Sequence, residues 1–418
     1  MHDLPDLPTA DDVDAAAVRI SGRVTRTPLQ SSTRLSEATG ARVWLKREDL
    51  QPVRSYKGRG AANLIAQLDS EQVWAGVVCA SAGNHAQGVA HACSTLGVNA
   101  RIYLPGNTPR QKRDRVAQLG GDWVEIIIGG RTYDEAAAAA AQDAGRTGAT
   151  LVPAFDHPHT IAGQGTIARE IVEDLPAPPD VLVVPVGGGG LLSGALTWLS
   201  ERHPQVRVVG VEPAGAACMI EATWKGGPTT LPEIDRFIDG AAVQRAGDWT
   251  YRVVAAHSPE LVAVPEGRVC TEMIALYQTE GIIAEPAGAL ASSALDSLGI
   301  EAGQTVVAVI SGGNNDLLRY AEVMERSLIH EGRKHYFLVD FPQEPGMLRQ
   351  FLADVLGPDD DIALFEYVKR NNRETGPALV GIELGSKDDL GPLLQRMDAS
   401  SIEVEPIPHD SPLFRFIL

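Results

Sequence analysis

The chain is poor in cysteine. Its 418 residues hold four, Cys79, Cys93, Cys218 and Cys270, far apart and with no CxxC pair among them. That usage excludes a disulfide scaffold and a thiolate zinc site, and it reads as reduced thiols packed in a core. Long apolar runs are also lacking. The purest are as short as 181–184, far below the roughly 20 residues that a membrane helix needs. The opening residues are acidic and carry no charged-then-apolar leader pattern. Positive charge is in deficit, since 36 Lys and Arg against 54 Asp and Glu leave a formal charge of −18. No dense basic stretch is interleaved with aromatics, so neither nucleic acid nor a membrane is an expected partner. These absences together point to a cytoplasmic protein. The apolar content of 44% and charged content of 22% are ordinary for a globular chain. The length allows two or three domains and a large core.

Short β-type runs alternate with longer helical ones. Strands are expected at 76–80, 100–104, 123–128, 151–153, 181–186, 206–211 and 305–310. Helices are expected at 83–96, 109–119, 133–144, 160–173, 191–200, 218–224, 268–279, 287–297 and 317–329. This alternation implies an α/β fold with a mostly parallel sheet covered on both faces. The first forty residues read as a polar lead-in with one short helix at 15–20. The alanine run 136–141 fits a helix lying close against the sheet. The character changes at HEGRKH, 330–335, which reads as a polar linker. Beyond it the pattern is strand 335–341, helix 346–356, strands 362–368 and 378–384, helix 388–397 and strand 402–404. That β-α-β-β-α-β order is a ferredoxin-like unit, present once. The expected domains are therefore 1–330 and 334–408.

Three glycine-rich places follow strand-like runs, and one lysine precedes them all. In KREDLQPVRSYKGRGA, 46–61, Lys57 stands between the apolar run Val43, Trp44, Leu45 and a helical run, beside Ser55 and Tyr56. A lysine at such a junction is placed to form a Schiff base with an aldehyde cofactor. Taken alone, the stretch reads more readily as a basic helix start with ordinary surface charge. SAGNH, 81–85, ends a strand and opens a helix, which suits a carboxylate through main-chain N–H groups, Ser81 and Asn84. His85 is read there as a packed histidine and not as a base. PVGGGGLLSG, 185–194, places Gly187, Gly188, Gly189 and Gly190 between an apolar strand and a helix. Such a run fits a backbone wrapped around a phosphate. It lacks the Gly-Lys-Ser/Thr of a nucleotide P-loop and fails the GxGxxG register. In SGGNND, 311–316, Ser311 closes a buried strand at the carboxyl edge of the sheet, where open α/β folds bind ligands.

SYKGRGA, SAGNHAQG, GGGGL, EPAGA (285–289) and SGGNN occur in this order. With them, the chain resembles the biosynthetic threonine dehydratases (threonine ammonia-lyases) of the fold-type II pyridoxal-phosphate enzymes. The resemblance spans 23–325, and the tail from 334, including FPQEPGML (341–348), resembles their ACT-like regulatory domain. It implies a tryptophan-synthase-β-like catalytic part with two lobes of parallel sheet, followed by one ACT-like domain. Pyridoxal 5'-phosphate is the implied cofactor, with Lys57 as its Schiff-base residue. Tyr56 stands where the family usually has Phe, beside the cofactor ring. Asn84 is implied to bond the ring hydroxyl, Ser311 to meet the ring nitrogen, and Gly187, Gly188, Gly189, Gly190 and Leu191 to hold the phosphate. Ser81, with the backbone around Asn84 and His85, is implied to take the substrate carboxylate.

The implied reaction is β-elimination from L-threonine to 2-oxobutanoate and ammonia, with L-serine as a second substrate. Lys57 serves as the base, and the cofactor phosphate as acid for the leaving hydroxyl. A homotetramer and control by isoleucine and valine are family expectations. Two departures from the related serine racemases stand out. Ala82 replaces their second serine, the base on the opposite face, which disfavours racemisation. Glu212 matches one of their divalent-ion ligands but Cys218 replaces the other, so no metal is expected. Another fold-type II lyase or synthase, a nucleotide-activated catabolic dehydratase and a non-catalytic amino-acid sensor are the competing readings. The retention of Lys57 with all the phosphate glycines argues against the sensor.

Overall fold

The computed structural model describes residues 7–367, 374–400, 402–408, 411, 413, 414 and 417. Packing divides the chain into two compact units. One comprises 1–266 with 275–315, and the other 267–274 with 316–418. The contact division thus groups 316–330 with the tail, whereas the sequence reading assigns them to the first domain.

The first unit carries two sheets. The larger has six strands in the order Leu29–Ser31, Arg42–Arg47, Thr305–Ile310, Val181–Pro185, Arg207–Pro213 and Glu260–Val264. All neighbours are parallel except the first pair, which is antiparallel. The smaller sheet is wholly parallel, in the order Val124–Ile128, Ala100–Leu104, Val77–Ala80 and Thr150–Leu151. Central strands such as Val181–Pro185 are buried along their whole length, as expected where helices cover both faces.

Each sheet has its own core. Around the larger one, Val307, Val309, Leu182 and Val184 pack with Ile167, Ile171, Leu192 and Trp198 from two helices. Burying each such aliphatic side chain is worth about 1.5–3 kcal/mol. The expected lead-in is part of this core. A helix runs over Ala10–Ile20, capped by Thr9 in a reciprocal box with Asp12, and it buries Ala10, Val13 and Ala16. Asp11 and Asp12, which give the segment its polar look, occupy the first turn, where acidic residues suit the helix dipole. The alanine-rich helix Tyr133–Thr147 meets the smaller sheet through Ala136 and Ala140, packed with Val78 and Tyr103.

One expected helix is broken. Residues 287–297 form a short helix, Pro286–Ala289, and then a tighter 3-10 stretch, Ser292–Ser297. The hydroxyls of Ser292, Ser293 and Ser297 each donate to the carbonyl three residues back, at 3.1, 2.8 and 2.7 Å. Side chains that compete for backbone carbonyls in this way favour the tighter winding.

In the second unit, four antiparallel strands lie in the order Asp361–Tyr367, Thr375–Glu383, Lys334–Pro342 and Glu403–Pro406. Helices Met347–Val355 and Leu390–Ala399 pack on one face through Phe351, Val355, Leu393 and Met397. This is the expected ferredoxin-like arrangement. Val368, the end of one expected strand, lies outside the described residues. The expected polar linker is a corner of three residues, 331–333. Lys334 is already in a strand, its ammonium buried on Glu325.

Candidate active site

Lys57 is the first residue of the helix Lys57–Ile65, and its neighbours in the chain fix it on several sides. The Tyr56 N–H donates to Ser311 O at 3.1 Å, and Ser55 bridges to Gly312. Two residues on, Arg59 is completely buried and holds two carboxylates. Its Nε and Nη2 reach Glu48 at 2.8 Å each, and Nη1 and Nη2 reach Glu170 at 2.6 and 2.8 Å. Lys46, also fully buried, donates to Glu170 and to Thr27 O at 2.7 Å each. Burial pushes the Glu48 carboxyl up, but the Arg59 guanidinium outweighs it and holds the group below its ordinary range. This network anchors the start of the lysine helix to the helix Pro158–Asp174.

Among the described residues, the Lys57 ammonium has no carboxylate partner. Its Nζ donates to Ala154 O at 3.1 Å and lies 5.1 Å from the centroid of the Tyr56 ring and 6.0 Å from that of Phe155. The Phe155 ring abuts the glycine loop. A Cβ on Gly188 would meet it at 2.4 Å, and one on Gly190 would meet the Phe155 Cβ at 2.9 Å. Gly189 adopts φ +93°, which an L side chain resists. Two carbonyls of the loop are held from behind: the Cys218 thiol donates to Gly187 O at 3.5 Å and the Thr250 hydroxyl to Gly188 O at 2.6 Å. The helix Gly190–Arg202 follows, and its first N–H groups have no carbonyl a turn behind them. Bare main-chain donors at a helix start, next to an amine without a counter-ion, are a donor set that fits a phosphorylated aldehyde.

Across from the lysine, Ser81 follows the strand Val77–Ala80. Its oxygen accepts from the Gly83 N–H at 3.2 Å, so its own hydrogen remains to donate. The helix Asn84–Leu96 begins there without a side-chain cap, which leaves its first N–H groups open to an anion. Buried His85 bonds Val152 O at 2.8 Å through Nε2. Burial, with the Lys57 charge second, lowers its pKa to about 4, so the ring is neutral and packed at ordinary pH. Asn84 is the junction of the two sheets' loops. Its Nδ2 donates to Glu285 at 2.5 Å, and its Oδ1 accepts from Asn314 at 2.7 Å. One hydrogen of Nδ2 is left for a ligand. Ser311 donates to Ala287 O at 3.0 Å.

Two family models match the chain. One described as "Pyridoxal-phosphate dependent enzyme" covers 20–312, and one described as "C-terminal regulatory domain of Threonine dehydratase" covers 325–417. The biosynthetic L-threonine dehydratase of Mycobacterium tuberculosis is 62% identical, over 97% of this chain and 95% of its own. The chain belongs to the biosynthetic threonine dehydratases. Its fold matches the processed threonine deaminase isoform 2 of Solanum lycopersicum at TM-score 0.72 and 35% identity, covering 78% of this chain and 96% of that one. Maize serine racemase matches at TM-score 0.71 and 32% identity, covering 78% and 99%. The fold is therefore that of the type II pyridoxal-phosphate enzymes with an added regulatory domain.

For a threonine dehydratase, the surroundings of Glu212 are informative. Its two carboxylate oxygens accept from the N–H groups of Met219 and Ile220, at 2.7 Å each, and cap the helix Cys218–Lys225. Burial pushes its pKa up to about 7. The two oxygens are thus committed to main chain. Among the described residues, no three His, Cys, Asp or Glu gather as metal ligands.

Sequence reasoning quoted Glu285 within EPAGA but gave it no role. The structure buries it on Asn84, and burial, then Asp239, pushes its pKa up to about 7. A Cβ on Gly312 would lie 2.0 Å from its Oε1, so the glycine in SGGNN is there to admit this carboxyl. Residues 154–156 also escaped notice, because they form no motif and act only through space. Among the described residues, no helix is long and apolar enough to cross a membrane.

Proposed function

We propose that Lys57 carries the pyridoxal phosphate of this enzyme and that its amine moves the substrate's α-proton. The reaction is the deamination of L-threonine to 2-oxobutanoate and ammonia, within isoleucine biosynthesis. When bound, the cofactor supplies an electron sink for the charge left on the α-carbon. The remaining work falls to side chains and main chain. The Lys57 amine, without a carboxylate partner among the described residues, would be available both to hold the aldehyde and to accept the Cα proton. The N–H groups of Gly187, Gly188, Gly189, Gly190 and Leu191 hold the phosphate. Tyr56 would flank the ring, and the spare amide hydrogen of Asn84 would meet the ring hydroxyl. Ser311 would give the ring nitrogen the hydroxyl hydrogen that Ala287 O otherwise accepts. A neutral hydroxyl stabilises a positive charge there less than a carboxylate would, which favours expulsion of the β-hydroxyl over transamination. Ser81 and the main chain at Asn84 and His85 take the substrate carboxylate. Ala82 offers no proton carrier on the opposite face, so elimination is favoured over inversion.

The observation that carries this reading is the Lys57 ammonium, without a carboxylate partner among the described residues and 5.1 and 6.0 Å from the centroids of two aromatic rings, one of which abuts the glycine turn. The test is chemical. Borohydride treatment of the yellow holoenzyme should fix the cofactor on the peptide containing Lys57. Lys57→Ala should be colourless and lose about a thousandfold or more in threonine turnover, within the range that acid–base and nucleophilic groups supply. A Lys57→Ala protein that stays yellow and active overturns the assignment.

The same reading extends to L-serine as a second substrate giving pyruvate, to a cytoplasmic homotetramer, and to isoleucine and valine as effectors acting through the tail. It assigns catalysis to 1–330 and regulation to 334–408. The match of a threonine-dehydratase regulatory model to the tail supports the effector role.

A further inference from the structure

Ala154, Phe155 and Asp156 touch Lys57, the glycine loop and the helix start that braces it, while belonging to none of the motifs. Ala154 O accepts from Lys57 Nζ, and Phe155 abuts Gly188 and Gly190. Asp156 acts on another element. Its Oδ2 accepts from the Asp248 N–H at 2.9 Å, and its Oδ1 from those of Trp249 and Thr250 at 2.8 and 3.2 Å. These are the first donors of the helix Asp248–His257, whose N-cap is Gly247 and which has no side-chain cap in its own sequence. A carboxylate at this place satisfies groups left open by the helix geometry and faces the positive end of the helix. Gly247 is needed for the approach, since a Cβ there would lie 2.3 Å from Asp156 Oδ1.

The turn that Asp156 holds is the one that braces the glycine loop. Thr250 is buried; its hydroxyl donates to Gly188 O at 2.6 Å, and its carbonyl accepts from Ser193 Oγ at 3.2 Å. A trans peptide is planar, with its carbonyl and N–H pointing opposite ways. Fixing Gly188 O toward Thr250 therefore turns the Gly189 N–H to the other side of the loop. We propose that Asp156 is a positioning residue that aims the anion-binding N–H groups of this loop. In the same segment, Ala154 and Phe155 set the separation of the loop from Lys57. The ligand feature it serves is the phosphate of the cofactor, as distinct from its ring. This inference rests on the reading of Gly187–Gly190 as the phosphate cradle.

The experiment strips the full chain of cofactor and titrates it with pyridoxal 5'-phosphate and, separately, with pyridoxal, following the absorbance of the lysine adduct. Asp156→Ala should bind the phosphorylated form about tenfold more weakly, the effect of losing one well-made interaction, and bind pyridoxal as the parent does. Asp156→Asn keeps one acceptor oxygen and should fall between. Melting of the stripped proteins reports whether each variant is folded. Equal weakening toward both aldehydes, or no weakening in either variant, overturns the proposal and leaves Asp156 as a helix cap. Gly188→Ala is the separate control: if it leaves the preference for the phosphorylated aldehyde intact, the cradle reading fails, and this proposal with it.

Discussion

Lys46, Glu48 and Arg59 are fully buried in the first unit, within hydrogen-bonding distance of one another's partners. In the strands and helices of the tail, the core is Phe337, Phe341, Phe351, Val380, Ile382 and Leu393. There, Phe341 meets Phe351, Phe365 and Tyr367 edge-on, with centroids 5.2, 5.8 and 6.0 Å apart. Among the described residues from 334 onward, the charges withdrawn from solvent are Lys334, on Glu325, and the Asp360 carboxylate, on Arg396. One region links its buried charges into a single network, and the other holds two separate pairs beside an aromatic core. Buried ion pairs add little net stability compared with apolar residues of the same size, but they demand one arrangement. The first unit places that demand on the helix that begins at Lys57. The tail has a sheet to close and no reacting group to aim, so aromatic packing suffices.

The contrast can be broken most forcefully at Arg59. Arg59→Met leaves Glu48 buried without its counter-charge, and should cost about 3–5 kcal/mol in denaturant unfolding of the full chain. A loss below about 1 kcal/mol would mean that the charges are not fixing the lysine helix. In the tail, Phe351→Ala should remove a comparable amount, about 3–4 kcal/mol, as a cavity. Its functional signature differs. Threonine turnover without effector should persist, while any response to isoleucine disappears. Loss of basal turnover together with that response would dissolve the division of labour.

The smallest effect is in pH, and it belongs to the site alone. His85 has a folded pKa of about 4 against 6.5 when free. Its contribution is therefore complete above pH 6.5 and fades as pH falls through 4. Glu285 runs the other way, about 7 folded against 4.5 free. Its contribution is complete below pH 4.5 and fades as pH rises through 7. Each is on the order of 1–3 kcal/mol. His85→Gln should flatten the acid limb of a stability–pH curve, and Glu285→Gln the limb between 4.5 and 7. Parallel curves for parent and variants would show that neither group titrates as its burial demands.

The central strands and most helices were legible because glycine and proline punctuate them. The runs at 100–104 and 305–310 coincide with the observed strands. The helix Asp248–His257 and the strand Glu260–Val264 were not seen. The helix has its cap 92 residues away in Asp156, and the strand is an edge with an exposed pattern. Local signals cannot report either. The short helix Thr33–Thr39 and the antiparallel strand Leu29–Ser31 were hidden in what looked like a polar leader. In the site, residues on motif loops could be named from their glycines. Glu285 could not be assigned, since its meaning depends on Asn84, 201 residues earlier in the chain.

Gly88 stands so close to Lys57 that a Cβ on it would sit 3.0 Å from the lysine's carbonyl carbon and oxygen. The post on which the amine is mounted is thereby clamped, and only the four-carbon arm can swing. Rotations of that kind take picoseconds to nanoseconds, whereas segmental shifts take microseconds or longer. On the proposed role of Lys57, the amine would reach its successive partners by turning that arm alone, with the main chain beneath it held in place.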